Sequence, residues 1–141
     1  MIEINNPLNI RHYDKNHWQG LKGIHRGFDI FESMTMGYRA AFVLLSNHWE
    51  RGRHNLVFLL DKWAPASDGN NPEAYARDVG RMAGVNPYLT LPRPQDDAPL
   101  WIRIAAAMTV IENGIRRNQV DYRALREGYR LAFGIKLIHN A

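Results

Sequence analysis

From Leu100 to Ile111 the chain carries one charged side chain, Arg103, and one other polar side chain, Thr109. A helix with no wet stripe must be packed on most of its faces. Other helices therefore have to surround this one, and the fold is expected to be mainly α, a compact helical domain. The segment closes on Glu112-Asn113-Gly114, where Gly114 is a natural C-terminal cap. It falls short of a membrane span, and no other window reaches the roughly 18 uninterrupted apolar residues that a span requires.

The partner helices announce themselves through their ends. Ser33 is suited to cap a helix that carries Tyr38, Ala41, Phe42, Leu45 and Trp49 on one side and ends at Gly52. A second helix is expected from about Asn55 to Trp63, stopped by Ala64-Pro65. The turn-forming run 66–71 leads to Asn71-Pro72, an N-cap followed by a first-turn proline. That helix points Tyr75, Val79 and Met82 inward and ends at Gly84. Four prolines mark residues 85–99 as a connector, and Asp121 caps a last helix through about Phe133. Residues 1–32, punctuated by Pro7, Gly20, Gly23 and Gly27, read as irregular, with short extended pieces such as Gly27–Phe31.

At 141 residues, with 45% hydrophobic and 23% charged side chains, the chain suits one domain over 1–141 with a core of its own. It has no cysteine, which removes disulfides and cysteine-based zinc sites. His12/His17 and His48/His54 match no ligand spacing, and no phosphate loop or nucleophile elbow is present. Neither a metal nor a cofactor is expected. A net charge of +4 suits a polyanion, though a solvated face is the plainer reading. A nucleic-acid role would rest on charge alone and is not favoured. The start of the chain lacks the basic and apolar blocks of a signal peptide, so a cytoplasmic origin is expected, with virion association or lysis as the way out.

Glu112 is the residue to single out. At the end of the most apolar helix, the helix dipole and a low dielectric both disfavour its ionised form. A carboxyl kept protonated near neutral pH suits a glycosidase general acid. The plainer alternative is solvent, or a pair with Arg116. Asn5, Asn6, Asn9, Arg11, His12, Tyr13, Asn16, His17 and Trp18 crowd the N-terminal segment with amides, a guanidinium and rings. Such side chains furnish carbohydrate grooves and ordinary surface loops alike.

Several of these residues fall in short motifs of fixed order: Asn5-Asn6-Pro7-Leu8-Asn9-Ile10-Arg11, Trp18-Gln19-Gly20, Phe31-Glu32-Ser33, Gly37-Tyr38-Arg39-Ala40, Trp63-Ala64-Pro65 and Ala74-Tyr75. In this the chain resembles small phage and prophage proteins usually labelled virion or structural proteins. The likeness covers residues 5–84 and is extended by Ile111-Glu112-Asn113-Gly114. More distantly, the chain is similar to cell-wall glucosaminidases, relatives of lysozyme. There a helix ending in a catalytic Glu precedes an Asn-Asn segment, a Phe-containing approach to the next helix and a later Pro-x-Tyr-Ala helix start. Here those segments are Asn5–Arg11, Phe28–Ser33 and Asn71–Ala76, while the Glu-bearing helix comes last, at Ala105–Gly114. The resemblance implies a circularly permuted lysozyme-like core with Glu112 in the catalytic place. Closely spaced termini make such permutation cheap.

The same resemblance implies a peptidoglycan glycosidase with Glu112 as general acid. Asn5, Asn6, Asn9, Arg11, Trp18, Tyr38 and Tyr75 would line a glycan groove, with Asp29 and Glu32 as candidates for a second carboxylate. Two departures stand out: Asn9 occupies a position where those enzymes usually have Gly, and the loop at 68–70 is looser. The alternative is a non-catalytic virion or glycan-binding component, with other virion proteins as partners.

Overall fold

The computed structural model describes residues 4–134; the Met1–Glu3 start of the leader expectation lies outside them. Five helices dominate: α1 (Met34–Glu50), α2 (Leu56–Trp63), α3 (Pro72–Ala83), α4 (Ala98–Asn113) and α5 (Tyr122–Phe133). Their starts follow the capping chemistry. The side chains of Ser33, Asn55, Asn71, Asp97 and Asp121 each accept a backbone N–H of the first turn. Gly84, Gly114 and Gly134 end three of the helices in the left-handed conformation.

The apolar segment is the core helix that its composition predicts. Along α4, Trp101, Ile102 and Ile104 through Thr109 are buried, while Arg103 reaches out to the Ala83 carbonyl at 3.1 Å. It packs on α3 on one side and α5 on the other, and α1 lies against α5 along the longest contact in the molecule. That contact is close because Gly128 has no side chain: a Cβ there would sit 2.6 Å from the Tyr38 Cβ. Phe42, Tyr129 and Phe133 fill the space beside it edge to face.

α4 begins at Ala98, two residues earlier than its apolar run suggests. Pro99 falls in the first turn, where a missing N–H costs nothing, so it starts the helix instead of ending the connector. The proline-rich connector is held by rings packed on the core. Trp49, Trp101 and Tyr129 donate to the carbonyls of Leu91, Pro92 and Pro94 at 2.9, 3.0 and 2.7 Å.

The N-terminal segment contains more order than its glycines suggest. β1 (Leu21–His25) pairs antiparallel with β2 (Phe28–Phe31) through a turn at Arg26 and Gly27, both at positive φ. Residues 4–12 run along the other edge of β2, bonded at Ile4–Phe31, Ile10–Asp29 and His12–Gly27. Asn6 is the staple: its amide donates to the carbonyls of Ile10 and Asp29, and its oxygen accepts the Ile10 N–H. This strap presses on α1 at Gly37, where a Cβ would lie 2.1 Å from the Asn5 carbonyl oxygen.

Candidate active site

Glu112 occupies the last turn of α4, one residue before the helix ends. Three elements meet there. From α3, the Tyr75 hydroxyl donates to Oε2 at 3.1 Å; from the strap, the Asn9 amide donates to Oε1 and to the Glu112 carbonyl, each at 3.2 Å. The strap is held in register by Trp63, whose indole donates to the Leu8 carbonyl at 3.0 Å, and by Asn113, which donates to the Pro7 carbonyl at 2.8 Å.

Burial raises the Glu112 carboxyl above its ordinary value, and the bonds from Asn9 and then Tyr75 offset part of that rise. Neither partner is charged. Arg116, four residues on, is exposed and gives its backbone N–H to Gln119. Glu112 is only partly buried, so burial acts on its carboxyl without withdrawing the residue wholly from solvent. The Tyr75 hydroxyl is pushed up strongly by burial and by the neighbouring carboxylate, which keeps it a neutral donor.

Asn9 has a φ of 53°, in the left-handed region. Glycine and asparagine are the residues that tolerate it best. Asn adds what Gly lacks, a side chain that reaches Glu112.

The remaining predicted residues separate into groups. Asn5, also at positive φ, donates to the Phe31 carbonyl. Asn6 and Tyr38 spend their polar groups inside the fold: Asn6 is consumed by the staple, and Tyr38 is 1% exposed with its hydroxyl on Thr109 at 2.8 Å. Arg11 is exposed, with its guanidinium 5.1 Å over the Phe28 ring. Trp18 packs half-buried against the core.

Asp29, a candidate second carboxylate, lies inside the fold. It is fully buried, and its Oδ1 lies 2.7 Å from His12 Nδ1, while the other His12 nitrogen reaches Asp14 at 2.9 Å. Burial raises Asp29, and Asp29 in turn raises His12, so the pair is a structural link between strap and hairpin. Glu32 stays exposed. A wide surface cavity of about 650 Å³ beside α5 carries Arg123, Arg126 and Arg130 together with Asp121 and Glu127, a mixed lining in place of a basic stripe. Among the described residues no helix is long and apolar enough to cross a membrane. No protein-family model matches the chain, and no curated protein matches it in sequence.

Proposed function

We propose that this domain cleaves glycosidic bonds in peptidoglycan, with Glu112 as the general acid. The observation that carries the reading is a helix-end carboxyl with neutral partners, raised by burial, on a residue that is only partly buried. In the reaction the Glu112 proton passes to the glycosidic oxygen as its bond to the anomeric carbon breaks. The leaving sugar keeps the bonding electrons. Since Asp29 is bound to His12, either a water attacks the anomeric carbon and gives its proton back to the Glu112 carboxylate, or the substrate's own acetamido oxygen attacks to close an oxazolinium ring that such a water then opens. Asn9 and Tyr75 are positioning residues that fix the carboxyl and moderate its rise.

Digestion of purified peptidoglycan, followed by mass analysis of released fragments, tests this. The wild type is expected to release glycan fragments, and Glu112→Gln to lower the rate by roughly a hundred-fold or more. Equal release by both proteins removes Glu112 from the role of acid. One observation favours a second reading: Glu112 also joins α3, α4 and the strap, as a structural latch would. On that reading the domain is a non-catalytic virion or glycan-binding component, and neither protein releases anything from any wall type.

A further inference from the structure

Asn5 and Asn9 share a second environment. They border a part-open cavity of about 300 Å³ between the strap, the start of α1 and the facing ends of α4 and α5. Glu112 is not in its lining, but its neighbour Asn113 is. Asn9 therefore stands between the carboxyl and the cavity.

The polar groups of this lining divide by what they already do. The Asn6 amide and the Tyr38–Thr109 hydroxyl pair are taken up internally. Other groups keep atoms with no partner among the described residues. The amides of Asn5 and Asn113 donate to backbone carbonyls, Asn5 with one hydrogen and Asn113 with both, which leaves their oxygens as acceptors and one N–H of Asn5 as a donor. Gln119 accepts the Arg116 N–H and keeps its NH2, and Asp121 caps α5 with one carboxylate oxygen and keeps the other. Asn9 donates to Glu112 and keeps its oxygen. Pro7, Met34, Ile115 and Val120 supply apolar wall.

No Lys or Arg is among the described lining residues, and Asp121 is a carboxylate. Anions are therefore disfavoured. Several acceptors, the amide donors of Gln119 and Asn5 and apolar walls complement a neutral ligand that carries hydroxyls around a C–H face, which is the chemistry of a pyranose. The volume is at the small end for ligand sites and suits a single ring. We propose that this cavity is a sugar subsite, distinct from the Glu112 carboxyl, that takes one N-acetylated hexosamine. The choice of the acetamido sugar rests on the peptidoglycan reading; the preference for a neutral polyhydroxyl ring rests on the lining itself.

Titration of the ¹⁵N-labelled full chain with free N-acetylglucosamine tests it, read at the side-chain amides of Asn5, Asn9, Asn113 and Gln119. Saturable shifts are expected at these amides, and equally in Glu112→Gln. Gln119→Glu retains the acceptor for the Arg116 N–H and replaces the donor with a charge. It should weaken binding about five-fold, the worth of one hydrogen bond, with an otherwise unchanged spectrum. Unchanged affinity in Gln119→Glu overturns the assignment. So does the absence of saturable shifts at these amides, or a stronger response to phosphate or methylammonium than to sugar. The two proposals fail separately. Sugar binding here without wall cleavage leaves the subsite standing and removes the enzyme. Cleavage without these shifts removes the subsite and leaves the Glu112 reading.

Discussion

Asn9 and His12, close together on one strap, each meet a carboxylate withdrawn from water, and the two carboxylates end in different chemistry. Asp29 is fully buried and faces an imidazole; Glu112 is half-buried and faces an amide and a phenol. Burial raises both. What separates them is the partner. His12 can carry a positive charge, so desolvating Asp29 is offset by a hydrogen bond to a group that can become its counter-ion, and the pair fixes strap to hairpin. Asn9 and Tyr75 cannot, so Glu112 meets the same cost by holding a proton more readily. A raised carboxyl alone does not distinguish the two; the absence of a counter-charge beside Glu112 does.

The sharpest way to break that contrast is at Asp29. Asp29→Ala leaves His12 without its buried partner and is expected to cost ~3 kcal/mol, the lower range for removing one member of a buried pair. Urea unfolding measures it, and a loss below ~1 kcal/mol would mean that the pair is not structural. The Asn9 side of the comparison is gentler. Asn9→Gly keeps the left-handed backbone and removes the bonds to Glu112, whereas Asn9→Ala removes the same bonds and adds backbone strain. Ala is therefore expected to be about 1 kcal/mol less stable than Gly at this position. Equal stability of the two variants would show that the strap relaxes out of the φ of 53°.

The two carboxylate sites are not equally readable in the sequence. Glu112 stands out because helix-end chemistry is local: an apolar run, then Gly114, places a carboxylate at the negative end of a dipole. Its partners are tertiary. Tyr75 comes from α3 and Asn9 from the far end of the chain, and nothing near either residue names the other. The His12–Asp29 pair is hidden for the same reason, and Asp29 looks like a catalytic candidate because its burial cannot be seen in a motif. Among the elements, the capped helices are legible and β1 is not. Leu21–His25 alternates weakly around Gly23, and its turn needs an arginine at positive φ, a residue with no special preference for that region. The connector prolines conceal the start of α4 because Pro99 serves a helix as well as a loop.

Tyr75 provides a finer probe of the Glu112 side. Its hydroxyl stabilises the ionised carboxylate, so Tyr75→Phe should move the Glu112 titration further up. On the enzyme reading, the alkaline limb of the pH–rate profile moves up with it. Carbon-13 NMR of the Glu112 carboxyl reads the same shift on either functional reading. A downward shift would mean that the hydroxyl acts as an acceptor and does not stabilise the charge.

The smallest expected effect is on stability against pH, and it is best read as a difference between wild type and Glu112→Gln. Several groups move the absolute curve. His48 is pushed down to about 4 by burial, so it binds protons in the unfolded chain first, and its stabilisation is lost as pH falls from 6.5 toward 4. Glu112 acts in the opposite direction. Its folded value lies above the ordinary 4.5, so the folded state binds the extra proton, and the wild type loses stability as pH rises from 4.5 through that raised value. The Glu112→Gln variant has no such proton, and its amide oxygen can still accept from Asn9. Subtracting the two curves cancels His48, Asp29 and His12. Glu112→Gln should thus gain on the wild type as pH rises from 4.5 toward neutrality, and the gain should flatten above the raised value. A variant whose disadvantage grows with pH would show a carboxylate stabilised by its surroundings, which is the behaviour of a latch and not of an acid waiting to give up a proton.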